Sequence, residues 1–99
     1  TQAMPLVTWS VRALDDIDRL YDFLRGKSPN AAERAVATLL ESVEGLRDFP
    51  SSGRPVAGMN LEYRELPIPF GSGGYLVFYR QRRDSVHILA VRHMREASY

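Results

Sequence analysis

Apolar residues recur at helical spacing in two stretches of the first half of the chain. The first stretch follows Ser10, a good N-cap, and continues at intervals of three and four residues until Gly26, a common stop signal. The second starts at Ser28-Pro29, where serine suits the cap and proline the first helical position, and it ends near Arg47 or Asp48 because a proline follows at position 50. The pattern predicts helices over about 11–25 and 29–48. The short connection between them predicts an antiparallel hairpin.

The second half of the chain has the pattern of strands. Residues 50–60 are rich in Pro, Gly and Ser, which predicts a loop. After it, β-prone runs are separated by turn formers at 70–74 and 82–85, and the middle run is apolar on both faces, as in a central strand covered by helices. The predicted strands are residues 62–68, 74–82 and 86–93, with a further short strand at Leu6-Val7-Thr8-Trp9.

Composition places the chain among small soluble domains. It has 99 residues, 44% hydrophobic and 25% charged, so we expect one domain over 1–99, with residues 1–5 a flexible N-terminus or a remnant of cloning. The absence of cysteine excludes a disulfide framework and fits a reducing cytoplasm. No apolar run approaches the ~18 residues of a membrane span, and no signal peptide is visible.

Charge is distributed unevenly along the chain. Residues 1–53 hold six basic and eight acidic groups, a balance of minus two, whereas 54–99 hold seven arginines and four acidic groups, a balance of plus three. Arginine favours planar, bidentate contact with phosphate or carboxylate. The alternative is that these arginines only cover sheet edges or form cross-strand pairs, Arg80 and Arg92 with Glu62, Glu65 or Glu96.

Metal binding is not predicted. The two histidines, His87 and His93, are six residues apart and have no clustered carboxylates near them in sequence, which fits no common ligand pattern. Four aspartates fall in the first predicted helix, but helical spacing spreads them around its surface, and we interpret them as a solvated face with ordinary helix pairs. These are Asp15, Asp16, Asp18 and Asp22.

The order of these elements, ending in a basic motif with His and Tyr, resembles the RelE/ParE toxin superfamily. The resemblance covers nearly the whole chain and is carried by Trp9-Ser10, Pro50-Ser51-Ser52-Gly53-Arg54, Tyr63-Arg64-Glu65-Leu66, Tyr75-Leu76-Val77-Phe78-Tyr79-Arg80 and 91–99. It implies an α+β fold in which a helical hairpin packs on a small twisted antiparallel sheet, made of the N-terminal strand and a three-stranded meander. It also implies a cytoplasmic bacterial toxin of a type II toxin-antitoxin system, of the plasmid-stabilization kind, without a cofactor. An antitoxin would neutralise it.

The superfamily divides by mechanism. RelE-type members cleave ribosome-bound mRNA with several cations around one phosphate, but Leu66 and Leu76 stand where many ribonuclease members carry Lys and Arg. The ParE branch poisons DNA gyrase by binding, tolerates Leu76, and shows the Phe-Tyr-Arg and His-x-Arg patterns found at 78–80 and 93–95. The resemblance is therefore nearer to ParE, and we expect a binding protein rather than an enzyme. The expected contacts with gyrase or a gyrase–DNA intermediate are Arg64, Arg80, His93 and Arg95.

Two alternatives remain open from the sequence. One is an mRNA endonuclease that uses Arg64, His93, Arg95 and Tyr99, and the other is a nontoxic relative that keeps only the antitoxin-binding role. In every case the amphipathic hairpin offers a groove to a helix of an acidic ParD-like antitoxin. The groove residues are expected to be Leu20, Tyr21, Leu24, Val36, Leu39 and Leu40, unless these simply form the core.

Overall fold

The computed structural model describes residues 5–95, which form two helices and a five-stranded sheet. The chain order is β1 (Leu6–Trp9), α1 (Val11–Arg25), α2 (Pro29–Glu44), a 3-10 turn (Gly45–Arg47), β2 (Arg54–Pro55), β3 (Tyr63–Phe70), β4 (Gly73–Arg82) and β5 (Ser85–His93). The predicted α+β fold, with the helices packed on the sheet, is confirmed. No helix among residues 5–95 is long and apolar enough to cross a membrane.

Both helices begin at the predicted serine caps. The Ser10 hydroxyl accepts a hydrogen bond from the Ala13 N–H at 3.0 Å, and the Ser28 hydroxyl accepts one from the Ala31 N–H at 3.3 Å. Each bond satisfies one of the amide donors that a first helical turn leaves without an intrahelical partner. The helix α2 ends a few residues before the predicted limit, because its last turn tightens into the 3-10 geometry.

The sheet is mixed rather than wholly antiparallel, which corrects one detail of the prediction. Its order is β1-β5-β4-β3-β2, and β1 runs parallel to β5 while all other neighbours are antiparallel. The parallel pairing arises because β5, the last strand of the meander, returns to lie beside β1 and runs in the same direction. Strand β2 has only two residues and was not predicted.

Strand β3 contains two prolines and ends at Phe70, two residues past its predicted end. Pro67 and Pro69 lie opposite Leu76 and Gly74 of β4. Only the start of β3 is covered by β2, so both prolines lie where β3 is an edge strand, and a missing N–H is tolerated there. The hairpin turn between β3 and β4 is consequently placed at Gly71, which has the positive φ of 60° that glycine adopts without strain.

An irregularity in β5 sets the orientation of the end of the sheet. Ala90 pairs with Phe78, but Ile88 pairs with Tyr79, so Leu89 has no pairing partner in the register. A bulge of this kind shifts the alternation of faces by one residue. As a result Val91 and His93 lie opposite Val77 and Tyr75, on the face that carries the helices.

The core lies between the helical hairpin and this face of β4 and β5. Its most enclosed side chains come from α2, the 3-10 turn and both central strands: Leu39, Val43, Leu46, Val77, Tyr79, Val86, Ile88 and Val91. Asp16 also lies here, at 9% exposure, so its predicted place on a solvated helix face is wrong. Its carboxylate accepts the Val91 N–H at 2.8 Å, and Arg19 donates to its other oxygen at 3.3 Å.

Candidate functional site

The four expected target-binding residues do not form one surface. Arg64 lies opposite Tyr79, and Arg80 is the next residue along β4, whereas His93 lies opposite Tyr75 at the start of that strand. Four or five residues of strand separate these positions, roughly 14–17 Å. Arg64 and Arg80 also differ in face, because neighbouring residues of paired strands point to opposite sides of a sheet. The structure therefore brings together only His93 and Arg95.

Arg64 holds the loop that precedes β2. Its Nη1 donates to the carbonyl oxygens of Gly53 at 2.7 Å and of Ser51 at 3.3 Å. Beside it, the Tyr79 hydroxyl donates to the Pro50 carbonyl at 2.8 Å and accepts from the Gly53 N–H at 2.9 Å. We call this arrangement of Arg64, Tyr79 and residues 50–53 the loop latch. The guanidinium of Arg64 is thus engaged within the fold.

Arg80 lies on the opposite face of the sheet, in a pair with Glu62. Its Nε is 2.9 Å from a Glu62 carboxylate oxygen, and its guanidinium lies 5.5 Å from the centroid of the Tyr63 ring. The hydrogen bond from Arg80 lowers the pKa of Glu62 and, reciprocally, raises that of the guanidinium. The ring of Tyr63 in turn stacks on Phe78 at 5.7 Å. The alternative in which Arg80 pairs with Glu62 is confirmed.

His93 and Arg95 lie in a cleft of about 740 Å³ between the second half of α1 and the turn that joins β3 to β4. The Tyr75 ring meets the His93 ring edge-on, at 5.6 Å and 89°. The backbone N–H of Arg95 donates to Nδ1 of His93 at 3.1 Å. In the neutral imidazole this bond assigns the proton to Nε2. Gly73 faces that edge of the ring, where an added Cβ would lie 3.3 Å from Nε2.

The cleft combines aromatic and basic side chains. Its lining includes the aromatic residues Phe23, Phe70 and Tyr75 and the basic residues Arg19, Lys27, His93 and Arg95, completed by Leu20, Leu24 and residues 71–73. Burial raises the pKa of the Tyr75 phenol. No acidic residue is among the described residues that line it. The arrangement suits a ligand that carries both an apolar group and negative charge.

Of the twelve residues that line the cleft, only Leu20, Leu24, His93 and Arg95 were candidate site residues from the sequence. Arg19 and Phe23 are four residues apart, which places them on one face of α1, and Lys27 follows at the same interval just past the end of that helix. Phe70 directly precedes the glycine-rich turn. The spacing was a usable signal for a basic and aromatic helix face, but no pattern in the sequence showed that this face meets the end of β5.

The six expected groove residues do not form one groove. Leu20 and Leu39 are buried in the core at 6% and 1% exposure, since they point from the helices to the sheet. Leu24 packs against the core and also lines the cleft with Leu20. Tyr21 and Val36 are half-buried, and Leu40 is exposed. The core alternative therefore holds for Leu20 and Leu39.

Two further positions bear on the choice of mechanism. Leu66 pairs with Val77, so the preceding residue of β4, Leu76, points to the other face of the sheet. Cations at these two positions would therefore serve different surfaces rather than one phosphate. Tyr99, the remaining member of the expected catalytic set, lies outside the described residues.

Comparison with known proteins identifies the family. A family model described as the ParE toxin of the type II toxin-antitoxin system parDE matches residues 7–98. The chain belongs to this ParE toxin family. It is therefore a toxin of a type II toxin-antitoxin system within the ParE/RelE superfamily, and the resemblance noted from the sequence is confirmed.

Individual relatives agree with the family. The chain is 38% identical over 84 residues to Toxin RelE1 of Caulobacter vibrioides, covering 85% of this chain and 87% of the relative. It is 37% identical over 87 residues to the putative toxin Y4kP of Sinorhizobium fredii, covering 88% and 85%. In fold it matches the chromosomal ParDE system from P. aeruginosa with a TM-score of 0.75 at 22% identity, covering 91% of this ParE-family chain and 96% of that chain.

Proposed function

We propose that this chain poisons DNA gyrase in the bacterial cytoplasm by binding it, as the ParE branch does, and that it does not cut mRNA. The main observation that supports the proposal is the distance along the sheet between Arg64 and the pair formed by His93 and Arg95. A ribonuclease of the expected kind needs several cations around one phosphate. Arg64 lies roughly 14 Å or more along the sheet from His93 and is engaged by two loop carbonyls.

The proposed gyrase contacts change accordingly. Arg95 is exposed and His93 half-buried at the mouth of the cleft, where a large partner reaches both. Arg80 stays a proposed second gyrase contact, on the other face of the sheet. It forms an ion pair with Glu62, so gyrase binds either the Arg80–Glu62 pair as a unit or Arg80 after the pair has separated. Arg64 is no longer proposed, because its guanidinium stabilises the loop latch.

A test separates three outcomes. The chain is expressed without an antitoxin, and cells are examined for DNA-damage induction with filamentation, for cleaved mRNA with halted translation, or for neither. We expect the first, together with accumulation of gyrase-dependent DNA breaks when the purified chain is added to gyrase and supercoiled DNA. Arg95→Ala should remove the effect, whereas Arg83→Ala, an exposed arginine in the β4–β5 turn, should keep it. Full toxicity of Arg95→Ala would contradict the assigned surface.

The mRNA endonuclease stays the second candidate because of the cleft itself. His93 lies there with Arg95 and Arg19, a group able to hold a phosphate and to move a proton at Nε2. The Caulobacter vibrioides relative also carries the name RelE. Cleaved mRNA without DNA damage in the expression test would establish this function instead. Absence of both effects would favour the nontoxic relative.

We also propose a ParD-like antitoxin as the neutralising partner. Its support is the family description, which pairs the toxin with parDE, and the fold match to a ParDE system. Of the expected groove residues, Tyr21, Leu24, Val36 and Leu40 keep surface for such a partner. Coexpression of the neighbouring gene should restore growth and yield a complex that copurifies.

A further inference from the structure

The cleft beside α1 has a volume of about 740 Å³, and its floor is apolar. Phe23 is 62% exposed although it is a large aromatic residue, and it stands on α1 across from Phe70. Phe70 is in turn 6.1 Å from Tyr75 between ring centroids. An exposed aromatic residue that faces a concave apolar floor is a common feature of protein interaction sites.

The rim of the cleft is basic on both sides. Arg19 on α1 and Lys27, two residues past the end of that helix, lie on the helix side, and Arg95 lies on the sheet side. The Lys27 ammonium group lies 4.6 Å from the centre of the Phe23 ring, so charge and apolar surface are presented together. None of the described residues lining the cleft is acidic to oppose an incoming anion.

We propose that an acidic segment of the antitoxin docks in this cleft, with an apolar side chain between Phe23 and Phe70 and carboxylates at Lys27 and Arg95. The inference rests on the proposed function, in which an antitoxin neutralises the chain. Charge complementarity selects this occupant, because an acidic segment is attracted by both sides of the rim.

The position of the cleft explains how such a partner would neutralise the toxin. Arg95 and His93, the proposed gyrase contacts, line the same cleft as Phe23 and Lys27. A segment seated there covers both contacts, so the antitoxin and gyrase compete for one surface. Phe23 and Lys27 serve only the antitoxin in this scheme, and their substitution should separate neutralisation from toxicity.

The experiment uses the full chain and the ParD-like protein encoded beside its gene, with affinity measured by calorimetry or biolayer interferometry. We expect Phe23→Ala and Lys27→Glu each to weaken binding at least about tenfold, the usual scale for an interface anchor. The matched controls are Phe49→Ala, another exposed phenylalanine at 70%, and Arg83→Glu in the β4–β5 turn. The controls should bind within about twofold of the unmodified chain.

Further measurements separate the possible failures. Circular dichroism checks the fold of each variant, and toxicity is measured without the antitoxin, where Phe23→Ala and Lys27→Glu should stay as toxic as the unmodified chain. A Glu→Lys or Asp→Lys change in the antitoxin that restores binding to Lys27→Glu would confirm the charge contact. Unchanged affinity of both variants would overturn the inference even if the chain poisons gyrase. Loss of affinity in a chain that leaves gyrase unaffected would refute the proposed function but keep the docking site.

A second copy of the chain is the competing occupant. The cleft is basic, and α1 carries Asp15, Asp18 and Asp22 among its exposed residues, so these aspartates of one copy are opposite in charge to the cleft of another. Sedimentation of the purified chain decides this point. A dimer that Phe23→Ala dissociates, together with unchanged antitoxin affinity, would show that the cleft binds another copy and would overturn the proposal.

Discussion

Replacement of Tyr79 by Phe tests the loop latch directly. Tyr79 is completely enclosed at 0% exposure, so the substitution removes one oxygen and leaves the ring packing in place. That oxygen bonds to the Gly53 N–H at 2.9 Å and to the Pro50 carbonyl at 2.8 Å. The variant therefore leaves a donor and an acceptor of the loop without their partner and creates little cavity.

The expected cost follows from these two groups. A buried donor left unsatisfied costs about 1–3 kcal/mol. The Pro50 carbonyl is in a half-buried residue, where water reaches it more easily, and should add about 0.5–1 kcal/mol. We expect the free energy of unfolding to fall by about 2–3 kcal/mol. For a domain of this size that corresponds to a decrease in Tm of about 8–20 °C.

Urea denaturation followed by circular dichroism measures the change. The midpoint should shift while the dependence on urea stays constant, because the surface exposed on unfolding is nearly unchanged. Tyr21→Phe is the control, since Tyr21 lies half-buried on α1, and it should change stability by less than about 0.5 kcal/mol. A loss below about 0.5 kcal/mol for Tyr79→Phe would refute the view that this hydroxyl stabilises the loop.

Three further predictions concern stability. Gly53→Ala should be strongly destabilising, because the added Cβ would lie 2.6 Å from the Tyr79 hydroxyl oxygen. Gly45 has a helical φ, and an added Cβ there meets nothing within 4 Å, so Gly45→Ala should stabilise the fold by about 0.4–1 kcal/mol in the same urea assay. Asp16→Leu should cost about 1–3 kcal/mol by leaving the Val91 N–H unsatisfied, and Asp16→Asn, which keeps an acceptor oxygen, should cost clearly less in thermal unfolding. Burial raises the pKa of Tyr79, so above about pH 10 the folded state keeps a proton that the unfolded state loses. The free energy of unfolding should therefore decrease above that pH by up to ~1.4 kcal/mol per pH unit, and the decrease should be less steep in Tyr79→Phe.

The helices were predictable because their signals are local. Spacing, serine caps and glycine or proline stops all lie within a few residues of the element they define, and α1 has the predicted bounds. The three meander strands follow from similarly local turns. The parallel pairing of Leu6 with Ser85 joins residues 79 positions apart, and β2 depends on contacts with β3 alone. Long-range pairings of this kind leave no periodic trace.

The burial of Asp16 could have been predicted from its spacing in the sequence. It lies three residues after Ala13 and four before Leu20, both buried, so it falls on the apolar stripe of α1 rather than beside it. A carboxylate on such a stripe needs a buried donor, and the bulged strand β5 provides one at Val91. Counting the aspartates as one group concealed the difference between Asp16 and its exposed neighbours.

The arginines show why residue type alone did not locate the site. Arg64 and Arg95 were both expected to contact gyrase, yet Arg64 bonds to loop carbonyls and Arg95 lines the cleft. The difference comes from strand direction, because the end of β5 lies beside the start of β4 and not beside its end. An antiparallel meander thus separates basic residues that were assigned to one binding surface from the sequence.

Neutralisation and toxicity become separable properties if the cleft serves both partners. A substitution at Arg95 removes a contact used for gyrase and a contact used for the antitoxin. It should therefore reduce toxicity and antitoxin binding together. A substitution at Phe23 or Lys27 prevents neutralisation and leaves the toxin active, since Phe23 lies on α1, Lys27 lies two residues past its end, and both are outside the proposed gyrase contacts. Selection against uncontrolled toxicity should therefore act more strongly on the helix side of the cleft than on its sheet side.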